Sequence, residues 1–331
     1  GRVARFFCDG RRADRTPGGT DPRALLRAAV ARAQGMGVRL AFGAESEFYL
    51  FRTDDDGRPT DAPLDGAGYI DAAPDDAGEN VRREICLTLG QMGIEVERSH
   101  HEEGPGQNEI DFRFSDPMSC ADNVVSFRAA VSSVAARSGL YACFSPKPRA
   151  LDSGSGFHIN ISLEKDGADA AALRDGFMAG VLARICEITA FLNPDDESYR
   201  RLGAHKAPRY VTWSHGNRSA LIRVPYTTDG SARMELRSPD SLASPYLAFA
   251  LLIHAGLDGV EGKMRPPAEF AGNVFAATPE QLAGCAQLPS GFAEALSLMA
   301  KSGFVSRVLP KKIIECYLLK GGQDKEAKGS R

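Results

Sequence analysis

Apolar residues recur with helical spacing along much of the chain. The first such stretch has a cap at Thr20 or Asp21, a proline at position 22 and stop signals at Gly35 and Gly37, and its apolar stripe is Leu25, Leu26, Ala29, Val30 and Ala33. The same spacing predicts helices at about 79–91, 118–138, 168–192 and 245–261, and shorter ones near 290–302 and 310–319. The fourth of these, YLAFALLIHAGL, is apolar nearly all round, which predicts deep burial.

Four other stretches, FGAESEFYLF, NEIDFRFS, GFHINISL and RMELR, alternate polar with apolar residues and are predicted to be strands. Their polar faces carry Glu45 and Glu47; Glu109, Asp111 and Arg113; His158, Asn160 and Ser162; and Arg233, Glu235 and Arg237. A solvated face would explain any one strand. Crowding short charged groups on four strands is costly unless ions lie between them, so the set indicates a charged site.

The order of these elements predicts an α+β fold. We expect a curved, antiparallel sheet whose charged face stays open while helices cover its apolar face. Two segments read as loose: 54–78, which is rich in Asp, Gly and Pro, and the charged tail 321–331.

Composition excludes several classes of function. The 331 residues are 43% hydrophobic and 25% charged with a net charge of −3, which is ordinary for a globular protein and leaves no basic block for nucleic acid. The seven cysteines form no C-x-x-C pair and are odd in number, which argues against disulfides and favours a reducing cytoplasm. No apolar run is long enough to predict a membrane span.

The charged candidates indicate divalent cations and phosphate. Five carboxylates and one imidazole suit two or three hard ions, Mg²⁺ or Mn²⁺ rather than zinc, and the candidate ligands are Glu45, Glu47, Glu102, Glu109, His158 and Glu235. Guanidinium groups that suit phosphate or carboxylate lie in or next to the same segments, at Arg201, Arg218, Arg223, Arg233 and Arg237. This combination indicates phosphoryl transfer from a nucleotide. Neither a Walker loop nor a G-x-G-x-x-G turn between a strand and a helix occurs.

Five ordered motifs resemble one known family. GAESEFYLF, SHHEEGPGQNEIDFRFSDP, SGSGFHINISL, NRSALIRVP and RMELRSPDSLASPYLAFALLIHAGLDG closely resemble the catalytic domain of bacterial type I glutamine synthetases, from about residue 3 to the C-terminal helices. The resemblance implies the glutamine synthetase and guanido kinase type of sheet. It also implies an enzyme that uses ATP to phosphorylate the γ-carboxylate of glutamate, after which ammonia displaces phosphate.

Roles for individual residues follow from the resemblance. It implies that Glu47, Glu102 and Glu109 hold one ion while Glu45, His158 and Glu235 hold the ion at the ATP phosphates. It implies that Arg218, Arg223 and Arg233 contact ATP, that Arg201 and Arg237 bind glutamate or the transferred phosphoryl group, and that Ser153 and Gly154 contact substrate. Arg218 and Arg237 are the expected catalytic residues.

The chain departs from the family pattern in three places. In YRRLGAHKAPRY, Lys206 stands where the family usually has a glutamate that shields the intermediate and accepts a proton from ammonium. A cation there predicts impaired use of ammonia or a different amine, unless the segment is shifted and Lys206 faces solvent. Ser153 replaces a common asparagine, and Phe275 replaces a tyrosine that many relatives nucleotidylate.

Three functions therefore stay open. The first is ligation of glutamate with ammonia; the second uses an organic amine such as a polyamine, ethanolamine or methylamine; the third is a weakly catalytic homologue that binds nucleotide and metal. The complete ligand set argues against the third. Relatives form rings of twelve subunits, so a homo-oligomer is expected.

The predicted organisation has three parts: a linker over 1–20 that follows a largely absent N-terminal β-grasp domain, a catalytic domain over 21–320 and a flexible tail over 321–331. Within the catalytic domain, adjacent residues on a strand face opposite ways, so only one of His100 and His101 can line the site. Asp111 is a further candidate, with a structural ion pair to Arg113 as the alternative.

Overall fold

The computed structural model describes residues 4–16, 18–226 and 231–329, with residues 323–329 described by their backbone alone. Nine strands in these ranges form one sheet: β1 Arg39–Thr53, β2 Pro59–Pro63, β3 Val96–His101, β4 Gln107–Ser115, β5 Leu140–Cys143, β6 Phe157–Glu164, β7 Trp213–His215, β8 Ile222–Val224 and β9 Ala232–Leu236. The main strand order is β3-β4-β1-β6-β9-β8-β7, and β2 and β5 both pair with β1. The sheet is therefore built outward from β1, the longest strand.

The sheet is antiparallel with one exception. Strands β7 and β8 run parallel to each other, so this edge of the sheet departs from the antiparallel pairing that the sequence predicts. The three residues of each strand are too few to give a sequence pattern, which is why their direction was not predictable. The mixed sheet still has the predicted α+β architecture.

Helices cover the apolar face of the sheet and extend beyond it. They are α1 Pro22–Gly35, α2 Glu79–Gln91, α3 Pro117–Arg137, α4 Ala170–Leu192, α5 Asp196–Arg201, α6 Pro245–Glu261, α7 Pro279–Leu282, α8 Phe292–Lys301, α9 Gly303–Val308 and α10 Lys311–Gly329. The predicted start of α1 is confirmed: Asp21 caps the helix by accepting a hydrogen bond from the backbone N–H of Arg23 at 3.0 Å, and Pro22 is the first helical residue. Helix α6 is almost wholly buried, as its all-apolar sequence predicts.

Helices α4 and α6 pack unusually closely because glycines meet at their crossing. A Cβ on Gly180 would lie 2.1 Å from the carbonyl oxygen of Ala255, and one on Gly259 would lie 2.1 Å from that of Gly176. No side chain fits at such a distance, so these glycines are required for the packing. Helix α4 also packs against β6 and β9, two of the strands that carry the charged face.

The structure adds elements that the sequence pattern did not predict. The short helices α5, α7 and α9 have no full apolar stripe, and α10 continues to Gly329 although its predicted end was near 319. The segment 54–78, predicted to be loose, contains β2 and then a long loop. That loop carries Tyr69, which becomes part of the site described next.

Candidate active site

The register of the sheet brings the predicted polar faces together. Glu47 on β1 lies opposite Glu109 on β4, and Glu45 on β1 lies opposite His158 on β6. One strand further along, Asn160 on β6 lies opposite Glu235 on β9. Four strands that are distant in sequence therefore present their charged side chains to one pocket, which confirms the shared face that alternation predicts.

Potential metal-binding groups overlap along this face. Within each group, donor atoms of all three side chains lie within 4.8 Å of one another, and the groups are Glu45, His158 and Glu235; Glu47, Glu109 and His158; and His100, Glu102 and Glu109. Glu47, Glu109, His158 and Glu235 are buried, while Glu102 and Glu45 are partly exposed. Oxygen-rich groups with one imidazole fit a hard divalent cation better than zinc.

The carboxylates raise one another's proton affinity. Burial and the neighbouring charge of Glu47 raise the pKa of Glu102 to about 7 and that of Glu109 well above its ordinary value. Burial and the charge of Glu109 raise the pKa of Asp111 to about 9. Such crowded acids are stabilised when a cation lies among them, so the donors present fit a bound divalent ion.

Glu45 behaves differently because it has donors of its own. Burial alone would raise the pKa of this carboxyl, but hydrogen bonding and charge from His158 outweigh burial and lower the pKa to about 2. His158 Nδ1 lies 3.1 Å from one oxygen of Glu45, and the Asn160 amide donates to the other at 2.8 Å. Glu45 is therefore ionised and held in place between two strands.

Arginines surround Glu235, whose side chain is fully buried. Arg237 Nη1 donates to Glu235 Oε1 at 2.6 Å, and Arg223 Nε donates to the other carboxylate oxygen. The Arg237 Nε group donates to the carbonyl oxygen of Arg218 at 3.0 Å. Glu235 and Arg237 of RMELR thus form a compact network with Arg223 of β8, in which a buried acid orients two guanidinium groups toward the pocket.

A glycine turn brings the backbone close to the acids. The Gly156 N–H donates to Glu47 Oε2 at 2.8 Å, and the Gln107 amide donates to the same oxygen at 3.0 Å. A Cβ on Gly156 would lie 2.9 Å from His158 Nε2 and 3.0 Å from Glu47 Oε1. Glycine is required there, because any side chain would fill the space in front of both groups.

Lys206 lies at the edge of the pocket and does not simply face solvent. Its Nζ forms an ion pair with Glu103 and lies 4.9 Å from the centre of the Tyr69 ring. The Ser153 hydroxyl donates to the second oxygen of Glu103 at 3.1 Å. The pKa of Glu103 is lowered by the hydrogen bond from Lys206, which outweighs burial. The lysine charge is therefore balanced locally.

One pocket gathers all but one of the predicted site residues. Its lining includes Glu45, Glu47, Glu102, Glu109, Ser153, Gly154, His158, Arg201, Lys206, Arg218, Arg223, Glu235 and Arg237. Arg233 is the exception, since it lines a wider groove next to the pocket and donates to Asn160 Oδ1 at 3.0 Å. The groove and the pocket share Glu45, Arg98, Asp111, Arg218 and Arg223.

The structure shows which of His100 and His101 lines the pocket and whether Asp111 pairs with Arg113. His100 lines the pocket while His101 is fully buried behind it, as strand alternation predicts. The alternative ion pair between Asp111 and Arg113 is wrong: Arg113 pairs with Glu95 at 3.0 Å, and Asp111 faces the pocket. Asp111 Oδ1 is buried without a hydrogen-bond partner in the described part of the chain.

Several residues of the pocket were missed from the sequence. Tyr69, Arg98, Glu103 and Gln107 all line it. Gln107 and Glu103 lie in the motif SHHEEGPGQNE, so their closeness to Glu102 and Glu109 was an available signal. No sequence signal pointed to Tyr69, because it lies in an irregular loop that is brought to the pocket by the tertiary structure.

Comparisons with solved structures define the fold class. The structure "GmaS/ADP complex-Conformation 1" superposes with a TM-score of 0.83 at 28% identity, over 95% of this chain and 75% of that chain. A cryoEM structure of Plasmodium falciparum glutamine synthetase superposes with a TM-score of 0.84 over 98% of this chain and 79% of that chain, and at 22% identity it shows the fold alone. The fold is that of a glutamine synthetase catalytic domain.

Sequence comparisons give the family. The family model described as "Glutamine synthetase, catalytic domain" matches residues 19–326. A glutamine synthetase of Clostridium saccharobutylicum is 43% identical over 96% of this chain and 75% of its own length, and one of Methanosarcina mazei is 42% identical over 96% of this chain and 74% of its own length. The chain belongs to the glutamine synthetase family, which confirms the resemblance and the type of function inferred from the motifs.

None of the helices within residues 4–16, 18–226 and 231–329 has the length and apolar character needed to cross a membrane.

Proposed function

We propose that this protein is an ATP-dependent ligase that activates the γ-carboxylate of glutamate as an acyl phosphate for attack by ammonia. The observation that carries this proposal is the overlap of buried acid and imidazole groups beside five arginines in one pocket. Membership of the glutamine synthetase family supports the same reaction. Such an arrangement serves a reaction in which negative phosphate oxygens approach a negative carboxylate.

Two cation positions follow from the donor groups. Glu45, His158 and Glu235 would hold one Mg²⁺ or Mn²⁺, while Glu47, Glu102 and Glu109 would hold the second. In the structure Glu47 and Glu102 fall in different groups, but each group contains Glu109, which lies between them. When bound, a divalent cation supplies charge neutralisation at the phosphate oxygens.

The arginines would orient the reacting groups. Arg223 and Arg237 are held by Glu235 at one side of the pocket, where their remaining N–H groups can contact the transferred phosphoryl oxygens. Arg218 would contact the phosphates from the shared wall of pocket and groove, and Arg233 would contact ATP from the groove itself. Arg201 is buried beside the glycine turn, and its Nη1 donates to the Ser238 carbonyl at 2.8 Å, which fixes it for a substrate carboxylate.

The chemistry proceeds in two balanced steps. An oxygen of the glutamate γ-carboxylate attacks the terminal phosphorus of ATP, and ADP leaves with the electrons of the broken P–O bond. Ammonia then attacks the acyl carbon, the C–O bond to phosphate breaks, and a proton from the nitrogen ends on the departing phosphate, which leaves the neutral amide. Residues 204–207, Ser153 and Gly154 line the pocket where water must be excluded from the acyl phosphate.

An organic amine is the second candidate acceptor, and one observation favours it. Lys206 forms an ion pair with Glu103, a carboxylate that would otherwise be free to bind an ammonium ion. Because the pair is neutral as a whole, it does not repel ammonium strongly. We therefore place ammonia first. The homo-oligomeric ring expected from the family stays a prediction.

The proposal is tested by measuring ADP formation from ATP and glutamate with Mg²⁺ or Mn²⁺. Ammonium, methylamine, ethanolamine and a polyamine are supplied separately, and mass spectrometry identifies the γ-glutamyl product. We expect glutamine with ammonium and no product in Glu235→Gln. Turnover that requires glutamate and occurs with an organic amine but not with ammonium would favour the second candidate. Absence of turnover with every acceptor would contradict both candidates.

A further inference from the structure

A chain of buried hydrogen bonds lies directly behind the loop that carries Glu102. His101 Nε2 lies 2.9 Å from Asp65 Oδ1, and His101 Nδ1 lies 2.6 Å from the carbonyl oxygen of Glu102. The His101 side chain is fully buried, and the Asp65 side chain is 6% exposed. Neither residue lines the pocket, so neither is placed to touch substrate.

The hydrogen-bond partners of His101 set the charge of its ring. A carbonyl oxygen accepts hydrogen bonds only, and so does an ionised carboxylate. Both ring nitrogens of His101 must therefore donate, which makes the ring an imidazolium paired with Asp65. A charge-assisted pair shielded from water holds its geometry more firmly than a neutral hydrogen bond.

Asp65 also holds the far end of the same loop. Its Oδ1 accepts from the Gly106 N–H at 2.9 Å, and its Oδ2 accepts from the Ala77 N–H at 3.1 Å. The segment between Glu102 and Gly106 is thus fixed at its start through His101 and at its end through Asp65. Glu102 lies just beyond the end of β3, where a single backbone hydrogen bond, from its N–H to the Gln107 carbonyl oxygen at 2.8 Å, still joins it to β4.

The cluster behind the loop is closed to a metal ion of its own. Donor atoms of Asp65, Asp76 and His101 lie within 4.8 Å of one another, which is close enough for a cation. Asp76, however, forms a buried ion pair with Arg82 at 2.6 Å, and Asp65 is matched by His101. Two acids and two cations balance, so this cluster supports the loop instead of binding metal.

The same histidine connects the loop to a second wall of the pocket. The carbonyl oxygen of His101 accepts from the Ile70 N–H at 3.0 Å, which fixes the backbone next to Tyr69. Tyr69 in turn packs against His100 at 5.6 Å between ring centres. His101 therefore sets the position of both the Glu102 loop and the Tyr69 segment.

We propose that Asp65 and His101 are positioning residues that hold Glu102 toward Glu109 for cation binding. This inference rests on the proposed function of the pocket as a divalent metal centre. It predicts that breaking the pair weakens the cation position at Glu102 and leaves the one at Glu45, His158 and Glu235 unchanged. Removing a partner that orients a metal ligand costs about 10- to 100-fold in metal affinity.

The test is a Mn²⁺ titration of the whole chain followed by electron paramagnetic resonance. The wild-type chain is expected to bind two ions. Asp65→Asn is expected to weaken one of them about 10- to 100-fold and to keep the other. Asp122→Asn is the matched control, because Asp122 forms a partly buried pair with Arg23 at 2.9 Å outside the pocket. It should lower the melting temperature without changing Mn²⁺ binding.

Two histidine variants keep the test decisive if Asp65→Asn does not fold. His101→Asn retains a donor toward the Glu102 carbonyl, and His101→Gln retains one toward Asp65. Each variant removes one of the two hydrogen bonds of His101, so each should lower the affinity for one of the two ions. Wild-type affinity for both ions in all folded variants would overturn the positioning role. Absence of Mn²⁺ binding in the wild type would instead overturn the metal centre on which the role rests.

Discussion

Glu235 and Arg237 lie two residues apart and form a buried ion pair at 2.6 Å, with Glu235 fully excluded from solvent. Glu235 lies in β9 and Arg237 directly follows the last residue of that strand, Leu236. Residues two apart on an extended chain point to the same side, so the two side chains can meet. A buried acid of this kind is tolerated only with charged partners, and Arg223 is the second one. The relationship explains why Glu235 and Arg237 stand so close together in the sequence.

Removing Arg237 should therefore destabilise the fold. Arg237→Ala leaves a buried carboxylate with one partner fewer, and we expect a loss of about 3 kcal/mol in the free energy of unfolding. Urea denaturation measures this loss. Arg39→Ala is the control, since Arg39 pairs with Glu164 and Asp166 at an exposed edge and should have a much smaller effect. Equal losses in both variants would contradict the central role of the buried pair.

Cation binding should strengthen with pH. The pKa of Glu102 is raised to about 7 and that of Asp111 to about 9, so protons compete with a cation at neutral pH. In the metal-free chain the folded state keeps protons on these carboxyls that the unfolded state has already released. The stability of the fold therefore falls as pH rises from the ordinary pKa values, 4.5 for Glu102 and 3.8 for Asp111, to the raised ones. Added Mn²⁺ should raise the melting temperature more at pH 8 than at pH 6, measured by calorimetry at fixed free Mn²⁺.

Glu102→Gln provides the control for this prediction. It removes a titrating carboxyl without changing the size of the side chain, so both the Mn²⁺ effect and its pH dependence should shrink. A Mn²⁺-induced shift that is the same at both pH values in the wild-type chain would show that these acids do not bind the ion.

His254 should make the fold less stable in acid. Burial and the charge of Arg32 lower the pKa of His254 to about 4, and Arg32 Nη1 lies 3.2 Å from His254 Nδ1, which fits a neutral ring that accepts at this nitrogen. The unfolded chain takes up a proton near the ordinary pKa of about 6.5, whereas the folded chain does not until about pH 4. Stability is therefore lost as pH falls through that interval.

The measurement is the melting temperature of the wild-type chain and of His254→Asn at several pH values between 4 and 7. Asparagine can still accept a hydrogen bond from Arg32 but does not titrate. The variant should show a shallower decrease toward low pH, and curves of identical slope would exclude His254 as a source of acid sensitivity.

Lys206 should control access of ammonium to Glu103. Lys206→Gln frees this carboxylate, and because an exposed pair is worth at most about 1 kcal/mol, the KM for ammonium should fall by up to about five-fold. The KM for ATP should stay the same. Phosphate release measures both, and Lys301→Gln on α8 is a control for loss of one lysine charge. An unchanged KM for ammonium would remove Lys206 from the acceptor site.

Much of the candidate site could be predicted because strands encode their faces locally. Alternation placed Glu45, Glu47, His158 and Glu235 on polar faces, and pairing in the sheet then brought them together. Helix bounds were also accurate where the apolar stripe is clear, as in α2, whose bounds match the prediction. These features depend on residues close in sequence.

Other features depend on contacts that no local pattern records. Lys206 and Glu103 pair across more than a hundred residues, so the sequence showed an unusual lysine but not the acid that neutralises it. His101 looked like one of two interchangeable histidines until its partners, Asp65 and the Glu102 carbonyl, were known. Arg233 shares a strand face with Glu235, yet it opens into the neighbouring groove, since it lies nearer the start of the strand.

The most direct test of the metal centre is diffraction from crystals grown with Mn²⁺, recorded near the manganese absorption edge. We expect two anomalous peaks in the pocket, one among Glu45, His158 and Glu235 and one among Glu47, Glu102 and Glu109. Peaks elsewhere on the protein, with none among these six side chains, would contradict the account.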